Sequence, residues 1–105
     1  MNGFAPFKPI AAGIVTNAAA PATGPVTWNC TVADGGAGIY TWTLGVGVDA
    51  NESIVNVEQR TVDLTVLVTH TSDIVKTITF ADLMGADTDS LHAMAVFQID
   101  PGLVV

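Results

Sequence analysis

The chain has 105 residues and a formal net charge of −7, and half of its residues are hydrophobic while only 12% are charged. This length is typical of one domain, and this composition excludes a wholly disordered chain, because disorder requires low hydrophobicity and high charge density. The three basic residues, Lys8, Arg60 and Lys76, are too few for the phosphate contacts on which nucleic-acid binding depends.

Residues 1–24 are rich in alanine, proline and glycine and follow neither a helical nor a strand period. Their prolines remove amide donors and favour extended backbone. We therefore predict an extended N-terminal arm that is separate from a domain over residues 25–105. Deletion of the arm should leave the domain folded. The alternatives are a solvated tail or a segment that crosses its own domain. The arm's apolar anchors, which we assign to an interface, include Phe4, Phe7, Ile10 and Ile14. We expect Phe4 and Phe7 to dock into a neighbouring subunit.

A period of two residues begins after Pro25 and predicts strands with one buried face. Val26, Trp28, Cys30 and Val32 share one face of the first strand. The second strand follows a glycine-rich turn and has Tyr40, Trp42, Leu44, Val46 and Val48 on its apolar face. Four further strands are predicted over residues 54–58, 62–69, 74–80 and 91–99, with a longer loop over 81–90.

Six short strands at this spacing predict an all-β fold, an antiparallel β-sandwich that is jelly-roll-like or immunoglobulin-like. Two stacked sheets are favoured over a closed barrel, because six short strands rarely close well. No segment shows a sustained period of 3.6 residues.

The last two predicted strands are apolar on both faces. In residues 91–99, for example, Met94 and Val96 lie on one face and Leu91, Phe97 and Ile99 on the other. Strands of this kind are normally covered on both faces, whereas a sandwich buries only one face of each sheet. We therefore predict a homo-oligomer, with a trimer favoured and with Met94 and Val96 among the interface residues.

No residue pattern specifies a catalytic site, so we predict that the protein is not an enzyme and uses no cofactor or metal. His70 and Asp73 are close enough in sequence to contact each other, but no Gly-x-Ser-x-Gly motif supplies a nucleophile. Cys30 lies in mid-strand beside Trp28, which favours a packed thiol. A small β-sandwich enzyme would need His70 and an acid facing a pocket.

Two other patterns allow a binding site. Oxygen ligands alternate over residues 87–90, which is compatible with calcium, although a polar loop with local hydrogen bonds is the favoured interpretation. Trp28, Tyr40 and Trp42 are compatible with a sugar-binding platform, but all three fall on faces predicted to be buried, which favours core packing.

The sequence also bears on cellular location. The single cysteine, Cys30, excludes an intramolecular disulfide framework, and no apolar run approaches the roughly 20 residues that span a bilayer. Lys8 and Pro9 interrupt the apolar stretch that a signal peptide would need. We therefore expect synthesis in a cytoplasm and no membrane partner.

The run Gly38-Ile39-Tyr40-Thr41-Trp42-Thr43-Leu44, the threonine-rich middle of the chain, and Thr88-Asp89-Ser90 leading into Ala95-Val96-Phe97 resemble small β-sandwich virion proteins of tailed phages. These are the capsid decoration (cement) proteins and related head-fibre or knob modules, and the resemblance covers about residues 35–99. It implies a trimer on the outside of the capsid that holds neighbouring major capsid proteins together. A carbohydrate-binding or adhesin module, including a phage fibre or vertex protein, remains the alternative.

Overall fold

Two four-stranded antiparallel sheets pack against each other in a computed structural model that describes residues 7–60 and 64–99. The strand order is β2-β1-β8-β5 in sheet A and β3-β4-β7-β6 in sheet B. The predicted all-β sandwich is confirmed, with eight strands rather than six. The strands are β1 (Phe7–Ile14), β2 (Val26–Trp28), β3 (Cys30–Asp34), β4 (Ile39–Leu44), β5 (Ser53–Gln59), β6 (Thr65–His70), β7 (Val75–Ala81) and β8 (His92–Ile99).

The first predicted strand is in fact two strands, because the chain passes from sheet A to sheet B at Asn29. Asn29 has a φ of 56°, which interrupts the extended backbone, and its Nδ2 donates to the carbonyl oxygen of Ile10 over 2.8 Å. The passage changes which side chains are covered. Cys30 is buried, whereas Val26 and Trp28 are exposed. The prediction that Trp28 lies in the core is therefore wrong.

The other additional strand, β1, lies within the segment predicted to be an arm. It is hydrogen-bonded to β2 on one side and to β8 on the other, so residues 7–14 cross their own domain. Pro9 is accommodated because the register with β8 shifts between Pro9 and Ala11, a bulge at which a missing amide donor is tolerated. Both Ile10 and Ala11 are buried at this bulge. A boundary at residue 25 thus does not separate β1 from the sandwich.

The core lies between the inner faces of the two sheets and is centred on aromatic rings. Tyr40 and Trp42 are buried there, as predicted, and both make edge contacts with the ring of His92. The centroid of His92 lies 4.7 Å from that of Tyr40 and 4.8 Å from that of Phe80. A Cβ at Gly13 would overlap the indole of Trp42, so glycine allows β1 to lie directly on that ring.

Candidate interaction surface

The outer face of sheet A, which points away from the core, carries apolar side chains on all four strands. The strand register aligns them across the sheet: Trp28 lies opposite Ala12, and Ile54 lies opposite Phe97. We call this surface the apolar face. Its apolar members are Phe7, Pro9, Ala12, Ile14, Val26, Trp28, Ile54, Ala93, Ala95, Phe97 and Ile99.

The apolar face has ridges and depressions rather than a flat surface. Small side chains at Ala12, Ala93 and Ala95 form the floor of one shallow depression. A second depression lies between Phe7, Ile54 and Phe97, and a third lies beside Val26 and Trp28. The largest side chain on the face, Trp28, is 54% exposed. A partner with complementary relief could therefore bury a large aromatic ring here.

The apolar face is nearly uncharged, although the protein is strongly acidic. Among the described residues of this face only Glu58 is ionisable, and its carboxylate accepts a hydrogen bond from Nε of Arg60 over 2.9 Å. The four strands lie about 4.8 Å apart and have a mean length of some 20 Å, so together they cover roughly 400 Å². This area is in the range of the largest apolar patch on a typical monomer, and such patches are often functional.

The outer face of sheet B has a different chemistry. Its register brings Thr31 opposite Thr43, Thr41 opposite Thr77 and Thr69 opposite the same Thr77. We call this surface the threonine face. Its threonines are Thr31, Thr41, Thr43, Thr65, Thr69, Thr77 and Thr79. Threonine favours strands through its branched Cβ and offers a hydroxyl to water, so this face suits exposure to solvent.

The predicted interface residues divide between the apolar face and the core. Phe7 and Ile14 lie on the apolar face, and Phe7 is 46% exposed. Phe4 lies outside the described residues. Ile10, Met94 and Val96 are instead buried between the sheets, so their assignment to an interface is wrong.

The misassigned residues lie on β8 and β1, and the physical reason differs between these two strands. In β8 the two apolar faces were recognised, but the strand's inner face carries Met94 and Val96, and its outer face carries Phe97 and Ile99. In β1 the bulge turns Ile10 inward. The surface residues that the sequence patterns did not identify are Val26, Trp28, Ile54, Phe97 and Ile99. The available signal was in residues 91–99, where apolar side chains occupy both faces of the strand.

His92 is buried and its hydrogen bonds define its tautomer. Nε1 of Trp42 donates to Nε2 of His92 over 3.2 Å, so the ring proton is on Nδ1, which donates to the carbonyl oxygen of Ser90 over 3.0 Å. Burial lowers the pKa of His92, and the hydrogen bond to Ser90 opposes this shift. A neutral imidazole enclosed in this way packs the core and is shielded from a substrate.

The predicted contact between His70 and Asp73 is present and includes a third group. Nε2 of His70 lies 3.3 Å from Oδ1 of Asp73, and its Nδ1 lies 2.7 Å from Nζ of Lys76. The ammonium can only donate, so Nδ1 accepts and Nε2 donates to the carboxylate. Nζ also donates to the carbonyl oxygen of Ser72 over 2.8 Å. Burial lowers the pKa of Lys76, while Asp73 raises it. These bonds fasten the turn between β6 and β7.

Cys30 is a packed thiol, as predicted. Its Sγ donates to the carbonyl oxygen of Ala12 over 3.3 Å, and burial raises its pKa. A raised pKa leaves the sulfur protonated at neutral pH, and the thiolate is the nucleophilic form.

For the loop over residues 87–90, local backbone hydrogen bonds were favoured over a calcium site, and Thr88 and Ser90 make such bonds. Thr88 Oγ1 donates to the carbonyl oxygen of Ala86, and Ser90 Oγ donates to that of Leu91. Oδ1 of Asp89 accepts from the amide of Gly38 over 2.8 Å, which ties the loop to the turn between β3 and β4. Within residues 7–60 and 64–99, no three His, Cys, Asp or Glu side chains are grouped as metal ligands.

Comparisons of the chain with protein-family models, curated proteins and solved structures give no match. In the part of the chain that the structure describes, no helix has the length and hydrophobicity needed to cross a membrane.

Proposed function

We propose that this protein is a structural virion protein that binds the outside of a viral capsid as a decoration or cement protein. In this role it associates with itself and stabilises contacts between major capsid subunits. The observation that carries the proposal is the apolar face, which is nearly uncharged in a chain of net charge −7. An apolar sheet face left open to water is unfavourable, and a permanent partner removes that cost.

The contrast between the two outer faces supports a direction of binding. The apolar face, with its exposed Trp28 and Phe7, lies against the shell. The threonine face points outward, where its hydroxyl groups meet water. Many copies on one shell convert weak single contacts into stable occupancy.

Co-sedimentation with virus particles tests this proposal. We expect the protein to sediment with intact capsids of the virus that encodes it, and antibodies against it to label the outside of those particles in electron micrographs. Recovery of the protein only in the free fraction, with unlabelled particles, would contradict a role on the capsid.

A carbohydrate-binding or adhesin module is the second candidate, and the exposure of Trp28 favours it. A ring open to solvent can stack on a sugar, although Tyr40 and Trp42 are buried and cannot contribute to such a platform. Saccharide-dependent quenching of Trp28 fluorescence, lost in Trp28→Phe and retained in Trp42→Phe, would support this function. Unchanged emission across a panel of host-surface saccharides would argue against it.

A further inference from the structure

Strand β6 is an edge strand that lacks the usual protection of sheet edges. It pairs with β7 on one side, and no described strand pairs with its other side. Natural edge strands are kept from pairing by charges, prolines, bulges or short length. The edge strand β2 has only three residues, β3 ends at Asp34, and β5 contains Glu58. By contrast, β6 has six exposed residues without Asp, Glu, Lys, Arg or proline.

The inner side of β6 is apolar but uncovered. Val66 and Val68 lie opposite Phe80 and Ile78, which are fully buried, so all four side chains share the inner face of sheet B. Sheet A does not extend far enough to cover the last strand, and Val66 remains 44% exposed. The apolar layer of the core thus continues beyond the edge of the sandwich and stops at an open strand.

The sequence of this strand is suited to pairing with itself. Thr65-Val66-Leu67-Val68-Thr69 reads identically in both directions. In an antiparallel pair centred on Leu67, each leucine meets leucine, each valine meets valine and each threonine meets threonine. We propose that β6 pairs with β6 of a second copy across a two-fold axis at Leu67, joining the two four-stranded sheets B into one continuous sheet.

The cross-strand pairs that result are favourable ones. Side chains directly opposite each other interact, and paired β-branched residues or paired threonines stabilise a sheet relative to alanine pairs. Val66 of each copy meets Val68 of the other on the inner side, where the four valines form one apolar layer. Leu67, which is 63% exposed in one copy, packs against its counterpart on the outer side.

Charge and size also fit a second copy of this chain. Two molecules of net charge −7 repel each other. Because β6 contains no acidic residue, its pairing brings no acidic side chain of one β6 opposite an acidic side chain of the other. The contact is small, because six residues of strand are about 20 Å long. Interfaces below roughly 1,200 Å² are typical of weak complexes, so the dimer forms in a concentration-dependent manner.

This pairing would have a consequence for capsid attachment, and that consequence rests on the proposed function. The two-fold axis of an antiparallel strand pair is perpendicular to the sheet, so both copies present the apolar face in the same direction. The dimer is then a bivalent platform with two apolar faces toward one surface and two threonine faces toward solvent. A single pairing consumes both open β6 edges, so assembly through β6 stops at two copies.

Sedimentation equilibrium of the purified full chain tests the pairing. We expect a mass that rises from 10.8 kDa to twice that value as the protein approaches roughly 100 µM. Leu67→Lys places two ammonium groups beside each other at the axis and should raise the dissociation constant at least about tenfold. Leu83→Lys, a matched change at an exposed loop leucine, should leave the dissociation constant unchanged.

Cysteine cross-linking tests the register directly. Residues at the axis of an antiparallel pair have Cα atoms about 4.5–5.5 Å apart, within the range that a disulfide spans. Leu67→Cys should therefore form a covalent dimer under mild oxidation, while Leu83→Cys and the wild type, whose Cys30 is buried, should form little. A monomer at every concentration, a trimer, growth into larger aggregates, or equal cross-linking of both variants would overturn the inference. Capsid co-sedimentation is a separate readout, so a monomer that still binds particles would refute the pairing and leave the proposed function standing.

Discussion

The apolar face and the threonine face are the two outer surfaces of one sandwich, and their chemistry differs sharply. Both belong to four-stranded antiparallel sheets. The apolar face has alanine, isoleucine, phenylalanine and tryptophan, whereas the threonine face has seven threonines beside a few apolar side chains such as Ile39, Leu67 and Val75. Since threonine is as favourable in strands as valine, strand formation did not require the apolar residues. One outer face is thus suited to water and the other to a partner.

Removal of β1 should have the largest effect, because β1 is a central strand of the sheet that carries the apolar face. Deletion of residues 1–24 should abolish the cooperative thermal transition followed by circular dichroism, with loss of the whole unfolding free energy of about 5–15 kcal/mol. Deletion of residues 1–6 leaves β1 intact and should retain the transition. A sigmoidal melt after the longer deletion would show that the sandwich folds without β1.

Equivalent substitutions on the two faces test which of them binds the capsid. Trp28→Lys should weaken capsid binding at least about thirtyfold, because it replaces the largest exposed side chain of the apolar face, and tryptophan is among the residue types that contribute most binding energy at interfaces. Thr31→Lys introduces the same charge on the threonine face and should change binding less than about threefold. Both variants should melt close to the wild type, since both side chains are exposed. Equal losses of binding would contradict the assignment of the apolar face to the capsid side.

The packing of sheet A against the core can be tested at Gly13. Gly13→Ala places a methyl group against the Trp42 ring and should lower the unfolding free energy in urea by about 1–3 kcal/mol. Gly47→Ala is the matched control, because its Cβ would lie 3.4 Å from the Cβ of Asp73, an ordinary contact. Its stability should be unchanged or slightly higher. A neutral Gly13→Ala variant would mean that Trp42 moves away without cost.

The smallest expected change in stability concerns His92, which lies in the core between the two sheets. Its folded-state pKa is lowered from 6.5, so as pH falls below about 6.5 the unfolded chain binds the proton first and stability decreases. The stability that the neutral His92 contributes is fully present above that pH. The slope of the unfolding free energy against pH cannot exceed about 1.4 kcal/mol per pH unit for one group. Urea titrations at pH 7, 6 and 5 should show this loss in the wild type and in His70→Gln. A His92→Leu variant that kept the same slope would assign the dependence to other groups.

Much of the fold was predictable because alternation is a local property. In β4, Tyr40, Trp42 and Leu44 alternate with polar or less buried residues, and all three are in the core. The positions of β5, β7 and β8 also agree closely with the predicted segments. The first predicted strand was not recognised as two, because Val26, Trp28, Cys30 and Val32 keep one parity while the chain changes sheets at Asn29.

The candidate surface was predictable only in part. The apolar character of both faces of β8 correctly indicated an additional apolar surface, but the choice of Met94 and Val96 placed it on the wrong side of the strand. A period of two residues divides a strand into two sets without saying which set faces the core. The proline-containing β1 was missed because its bulge, set by the register with β8, removes the alternation that identifies strands.

Local patterns and composition were sufficient to predict the all-β class, most strand positions, the acidic and weakly charged character of the chain, and the presence of more apolar strand surface than one core can bury. Which apolar residues are left outside depends on the packing of the two sheets. That packing depends on the passage between sheets at Asn29, the bulge at Pro9 and the pairing of β1 with β8, all of which join residues distant in sequence. Burial is a property of the assembled sheets, so no local pattern could place Trp28 on the surface and Met94 in the core.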